Sequence, residues 1–257
     1  MLNYLNIEKG HGRAQNTLTE ADLKGAIGRV LSGTSGDWNV AAIYFVRHGQ
    51  TDYNAAGRVQ GIVDVPINAA GRQQAERNGR VLNELISDTS GFDFVSSPLL
   101  RARQTMEIVR EAMGLALDAH RTDSRLQEIH FGDWAGMTMA EIAERDPENY
   151  ARRQADLWNV PPPGGESIRE LSARAVAWFE SVTQDTVAVA HGGINRCLRA
   201  HFLKLSPEEL VYLDVPQDKV LLIEQDNRRS SSSKGGSATN LRSSSPRGGS
   251  ATKLSWL

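Results

Sequence analysis

Sulfur is scarce in this chain: Cys197 is the one cysteine among 257 residues. That excludes an intramolecular disulfide framework and fits a reducing, cytoplasmic setting. No apolar run approaches the roughly 20 residues needed to cross a bilayer. No charged region leading into a long apolar stretch opens the sequence, so a secretory leader is not expected. The chain contains no Gly-x-Gly-x-x-Gly and no Gly-Lys-Ser/Thr loop, which removes the common dinucleotide and nucleoside-triphosphate cradles. His-x-His and His-Glu-x-x-His are missing as well, and with them the usual zinc-hydrolase signatures, so neither a metal nor a cofactor is expected. Acidic residues are absent from Asn227 to Leu257, where six Lys or Arg occur; the overall net charge of −2 therefore leaves 23 basic against 31 acidic residues in the remainder. An acidic body gives no reason to expect a nucleic-acid partner. What is present is an ordinary composition, 40% hydrophobic and 23% charged, long enough for one sizeable core.

Both ends read as peripheral. Residues 1–39 form an N-terminal extension, in which Thr17-Leu18-Thr19-Glu20 has capping-box spacing ahead of one short amphipathic helix from Ala21 to Leu31. Residues 227–257 repeat Gly-Gly-Ser-Ala-Thr at 235–239 and 248–252 among serines and basic residues. Such a Ser/Gly-rich tail buries little apolar surface and is predicted to be disordered throughout. Residues 40–226 between the two ends are the predicted folded domain.

Within that domain strand-like and helix-like patterns alternate. Val40 to Val46 is an apolar run, followed by a helical face at Ala75, Gly79, Leu82, Leu85 and Ile86. Phe92 to Val95 reads as a short buried strand, and Ala102, Thr105, Ile108, Val109 and Ala112 as the next helix face. Ser167-Ile168-Arg169-Glu170 is a capping box opening a helix with Leu171, Ala175, Trp178 and Val182 on one face. Thr186 to Ala190 is a strand, Ile194 to Leu203 a helix, and Val220 to Glu224 a last strand. The alternation predicts an α/β fold: a three-layer sandwich with a mostly parallel central sheet flanked by helices.

Chemistry-bearing residues gather where strands end. Arg47-His48-Gly49-Gln50 follows the first strand and His191-Gly192-Gly193 follows the strand that ends at Ala190. Ligands of open α/β sheets bind at that carboxyl edge, and the two histidines share one crevice if their strands are neighbours. The glycines permit close approach of backbone to a phosphate. Ser96-Ser97-Pro98-Leu99-Leu100-Arg101 leaves a strand and brings Arg101 to a helix N-terminus, a favourable place for an anion. Leu126-Gln127-Glu128-Ile129-His130-Phe131-Gly132-Asp133-Trp134-Ala135-Gly136 is a glycine- and aromatic-rich loop carrying Glu128.

With these segments the chain resembles the histidine phosphatase superfamily, in its phosphoglycerate mutase-like branch. The likeness runs from about Ala42 to Glu224 in family order: Arg47-His48-Gly49-Gln50-Thr51-x-x-Asn54, Gly57-Arg58-x-Gln60-Gly61-x-x-Asp64, Gly71-x-x-Gln74-Ala75, Ser96-Ser97-Pro98-Leu99-x-Arg101-Ala102-x-Gln104-Thr105, the Glu128 loop, Pro163-Gly164-Gly165-Glu166-Ser167, and Val189-Ala190-His191-Gly192-Gly193. The resemblance implies that His48 accepts the phosphoryl group, with its pKa lowered by neighbouring Arg47 and Arg101. It implies that Arg47, Arg101 and a cationic His191 spread the charge of the transferring group, and that Glu128 is the general acid. Asn54, Gln60 and Gly61 match positions contacting phosphate or the substrate's proximal atoms, and Gly192 joins them as a binding residue.

Mutases of this family carry a long basic insertion between the acid-bearing loop and the Pro-Gly-Gly-Glu-Ser segment. Here that stretch, residues 137–162, is short and consists mainly of helices around Met139–Ala143 and Tyr150–Arg153. The resemblance then implies a metal-independent phosphatase acting on a small phosphorylated metabolite, as a monomer or homodimer with no nucleic-acid or membrane partner. A phosphoglycerate-type mutase is the alternative, and a catalytically idle phosphate-binding protein a distant one. Arg145, Arg152 and Arg153 read as a solvated helix face, with recognition of a second acidic group on the substrate as the alternative.

Overall fold

Ile43, Tyr44, Phe45 and Val46 are β-branched or aromatic, and all four are buried in β1 (Ala42–Arg47). Successive strand side chains point to opposite faces, and here both faces are covered. Ile43 and Phe45 enter one core, Tyr44 and Val46 a second. A strand buried on both sides needs no polar alternation, which is why it reads as a continuous apolar run. The computed structural model describes residues 41–225 and 252–257; the helix expected between Ala21 and Leu31 lies outside them.

β1 pairs in parallel with β4 (Thr186–Ala190), which pairs in parallel with β2 (Asp93–Ser96), and that strand with β3 (Arg121–Thr122). On its other side β1 pairs antiparallel with β5 (Val220–Gln225), and β5 with β6 (Thr252–Trp256). The order is β3-β2-β4-β1-β5-β6. After the one-turn α1 (Asp52–Ala55), α2 (Ala69–Leu85) and α3 (Leu100–Ala112) cover the face of Tyr44 and Val46 through Leu82, Met106 and Val109. The small helices α4 (Met139–Arg145) and α5 (Pro147–Ala155) follow. α6 (Ile168–Glu180) and α7 (Gly192–Leu203) cover the opposite face through Leu171, Trp178, Ile194 and Leu198, and the short α8 (Pro207–Leu210) follows them. The chain is a three-layer α/β sandwich around a mixed, mostly parallel sheet.

The capping box at α6 forms as its sequence requires. Ser167 Oγ accepts from the Glu170 N–H at 3.2 Å, and Glu170 Oε2 accepts from the Ser167 N–H at 2.8 Å; a cap of this kind contributes about 1 kcal/mol. The expectation of disorder through Leu257 fails at its end. Thr252–Trp256 is the edge strand β6, and Leu257 exchanges backbone hydrogen bonds with Val220 at 2.8 and 3.2 Å. Leu254 and Trp256 alternate with Ser255 and pack against the first core, while Leu257 packs against the second. The serine-rich composition of the preceding residues masked this two-residue period.

One feature of the connectivity makes the site. The chain leaves β1 toward α2 on one face and leaves β4 toward α7 on the other. The carboxyl ends of these two neighbouring parallel strands therefore open a crevice between diverging connections.

Candidate active site

His48 and His191 occupy that crevice. The His48 N–H continues the sheet by donating to the Ala190 carbonyl at 2.9 Å, and the two imidazole centroids lie 5.0 Å apart. The expected juxtaposition is present because β1 and β4 pair with Arg47 opposite Ala190. His48 Nδ1 lies 2.8 Å from the Gly49 carbonyl, and Arg101 Nε lies 3.3 Å from His48 Nε2. A guanidinium only donates, so Nε2 is the acceptor and Nδ1 carries the proton. The ring is thus neutral, with its lone pair on Nε2. Burial, then Arg101, then Arg47 hold its pKa well below the usual 6.5. Desolvation leads here, not the like-charge repulsion anticipated from sequence.

His191 caps α7 and is fully buried. Its Nε2 is 2.8 Å from Ser97 Oγ, and its Nδ1 has no hydrogen-bond partner among the described residues. Burial first, then Arg101, His48 and Arg47, push its pKa well down. The cationic His191 implied by the resemblance is one favoured by the phosphate dianion itself; burial among arginines favours the neutral ring.

Arg101, at the second position of α3, is fully buried. Its Nη1 and Nη2 donate to the carbonyls of Val63 and Gly61 at 2.8 and 2.7 Å, and burial brings its pKa down to about 10. Gly61 sits at φ +53°, and a β-carbon there would press on the backbone of Ile129 and Phe131, a conformation and an approach that favour glycine. The first N–H of α3 is taken by Asp64 Oδ1 at 2.5 Å. Arg47 donates to the Val215 carbonyl at 2.6 Å, and Gly192 lies beside the guanidiniums of Arg47 and Arg196. A side chain at Gly49 would collide with the Gly71 backbone, so this glycine also serves packing of the loop against α2.

Two amides are oriented by what their oxygens accept. Gln60 Oε1 accepts from Thr51 Oγ1 at 3.0 Å. Asn54 Oδ1 accepts from the Thr51 N–H at 3.2 Å and from Gln217 Nε2 at 3.1 Å. Both amides line the cleft, and among the described residues their NH₂ donors are left over. Gln217 Nε2 also donates to the His48 carbonyl at 3.0 Å.

Glu128 approaches from the other side. Its carboxylate accepts from the Gly193 N–H at 3.1 and 3.2 Å and from the Ile129 N–H at 3.0 Å. The loop bearing it is clamped by Arg174 of α6, which pairs with Glu166 and donates to the carbonyls of Arg125, Gln127 and Glu128. Asp133, the next carboxylate, is exposed. These groups line a cleft of 410 Å³. Among the described residues no cluster of three or more His, Cys, Asp or Glu is placed to hold a metal ion, and no helix is long and apolar enough to cross a membrane. Arg145 and Arg152 are exposed as expected, but Arg153 is buried and lines the cleft.

The structure brings together Arg47, His48, Asn54, Gln60, Gly61, Arg101, Glu128 and Gly192 along this cleft, with His191 packed beside His48. Sequence reasoning gave no part to Ser97, Gln217 and Arg174. Ser97 and Glu166, the partner of Arg174, lay within recognised motifs; nothing local marks Gln217.

A family model, the histidine phosphatase superfamily (branch 1), matches residues 43–234. The chain belongs to this superfamily. It is 37% identical over 177 residues to glucosyl-3-phosphoglycerate phosphatase of Mycobacterium tuberculosis, covering 63% of this chain and 75% of that protein. It is 32% identical over 179 residues to a 2,3-bisphosphoglycerate-dependent phosphoglycerate mutase of Nitrobacter hamburgensis, covering 66% and 84%. The crystal structure of the α-ribazole phosphatase of Shigella flexneri superposes with a TM-score of 0.61 at 26% identity, over 71% of this chain and 89% of that one.

Proposed function

We propose that this chain is a metal-independent phosphomonoester hydrolase working through a phosphohistidine on His48. The observation that carries the reading is the His48 ring: its one lone pair is on Nε2, facing Arg101, with the proton held on the Gly49 side. Nε2 attacks phosphorus as the P–O ester bond breaks. Glu128 delivers a proton to the departing alkoxide. Arg47 and Arg101 spread the charge on the non-bridging oxygens, and the Nδ1 of His191, unpartnered among the described residues, supplies a further donor once the dianion has drawn a proton onto the ring. A water then enters, loses its proton to Glu128 and attacks phosphorus. The P–N bond breaks, and inorganic phosphate leaves with both histidines restored. The donors left on Asn54 and Gln60 suit the same anion.

Hydrolysis, as opposed to transfer, is supported by the segment over the site. Residues 137–162 build only the seven-residue α4 and nine-residue α5, a small cover that gives water access to the phosphoenzyme. A cleft of 410 Å³ suits a small-molecule ester. The test is a panel of phosphate esters with and without chelator. Inorganic phosphate should appear without a bisphosphate primer, the chelator should have no effect, and interconversion of 2- and 3-phosphoglycerate should be negligible. Rapid primer-dependent isomerisation with little phosphate release overturns the hydrolase in favour of a mutase.

A further inference from the structure

Residues 211–219, between α8 and β5, form neither helix nor strand, yet side chains from three elements hold their carbonyls. From α7, Arg196 Nε donates to the Leu213 carbonyl at 2.9 Å and Arg199 Nη1 to that of Asp214 at 2.6 Å. Arg47, at the end of β1, donates to Val215 at 2.6 Å, and Asn78 Nδ2 of α2 donates to Gln217 at 3.0 Å. Asn78 is 1% exposed, and its Oδ1 has no hydrogen-bond partner among the described residues. A buried amide satisfied on one side only costs stability. Holding this strap is what accounts for an asparagine there.

The strap presents Gln217 to the cleft. The β1–β5 ladder ends at Val46 and Val220, short of His48, and the Gln217 side chain continues it. Its Nε2 donates to the His48 carbonyl at 3.0 Å and to Asn54 Oδ1 at 3.1 Å. A peptide carbonyl only accepts, so the nitrogen of the Gln217 amide must face it. The Asn54 atom that meets the same nitrogen is then an oxygen, and the Thr51 N–H, donating to that atom at 3.2 Å, agrees. The NH₂ of Asn54 is thereby left for the cleft. The His48 backbone is pinned twice, its N–H by Ala190 and its carbonyl by Gln217.

We infer that Gln217 is a positioning residue for phosphoryl transfer. One amide NH₂ fixes the backbone that carries His48 and, through Asn54 Oδ1, the direction in which Asn54 offers its donors. The inference rests on reading His48 as the nucleophile. It is tested on the full chain by single-turnover release of p-nitrophenolate from p-nitrophenyl phosphate, with enzyme in saturating excess. That rate constant reports the attack of His48, and a partly unfolded preparation does not change it.

Gln217→Met keeps the bulk and loses both donors. Its rate constant should fall by roughly 10- to 100-fold, the scale of a nucleophile displaced by about 1 Å. Gln217→Glu keeps the shape but only accepts when ionised, and should lose at least as much. In an Asn54→Ala background, Gln217→Met should cost less than in wild type, because the two side chains act through one contact. An unchanged rate constant in folded Gln217→Met overturns the inference, and so do losses that simply multiply in the double variant. Should wild type release no p-nitrophenolate, the hydrolase reading fails by itself. The dissociation constant of orthovanadate, a mimic of the transferring group, then decides the positioning role. A constant weakened by roughly tenfold or more in Gln217→Met upholds it, and an unchanged one overturns it.

Discussion

Arg101 spends its Nε on the His48 lone pair in the free protein, so an entering phosphoryl group must take over that donor before Nε2 can attack. Removing the proposed nucleophile tests the chemistry directly. His48→Ala should abolish turnover with an unchanged circular-dichroism spectrum, because a crevice residue is lost while both cores stay filled. Quenching wild type with labelled substrate should trap acid-labile phosphohistidine; label on serine or aspartate sinks the mechanism. Glu128→Gln should slow esters of poor leaving groups by about 10²–10⁴-fold while barely affecting p-nitrophenyl phosphate, whose leaving group needs no proton. Gly193→Ala should mimic it, since an added methyl collides with the Glu128 carboxylate, the movable end of a side chain. Equal losses on good and poor leaving groups would assign the acid to another residue. These histidines, arginines and the glutamate were legible because their types are chemically telling at strand ends. Gln217 was not: its partner His48 is 169 residues away in sequence, and only the folded chain brings them together. Arg153 looked like its exposed neighbour Arg152 because burial on so short a helix depends on what packs beside it.

At the scale of elements, β6 carries the clearest consequence. Leu254, Trp256 and Leu257 are partly buried, Arg199 lies 5.2 Å above the Trp256 ring, and β5 would otherwise be a bare apolar edge. Deleting residues 252–257 should lower Tm by roughly 5 °C or more, given a few kcal/mol of lost burial in a domain of this size. An unchanged melting curve would show that β6 contributes nothing. The helices and central strands were readable from their apolar periods, with boundaries near those observed. β3 and α8 were too short to show a period, and the antiparallel sense of β5 is fixed by where the chain re-enters the sheet, which no local pattern records.

For the whole molecule, two buried neutral histidines make stability depend on acid. In the unfolded chain each titrates near 6.5, while in the fold both pKa values lie well below that. Their contribution is complete above pH 6.5 and is lost as pH falls from there toward the folded values, because only the unfolded chain takes up those protons. The slope is at most about 1.4 kcal/mol per pH unit for each ring. Melting curves from pH 7 to pH 5 should show Tm falling, and His191→Asn should flatten that fall; an equally steep fall in the variant would assign the acid sensitivity elsewhere. The three-layer plan followed from the strand–helix alternation because a sheet covered on both faces leaves few other arrangements. The pairing of Gln225 with Thr252 across β5 and β6 reaches further. Neighbouring strands sit about 5 Å apart, so the 26 intervening residues begin and end at one spot on the sheet's rim. Such a site is a port: a two-residue turn, or a guest domain with adjacent termini, has the geometry to join the same two strand ends in the same register.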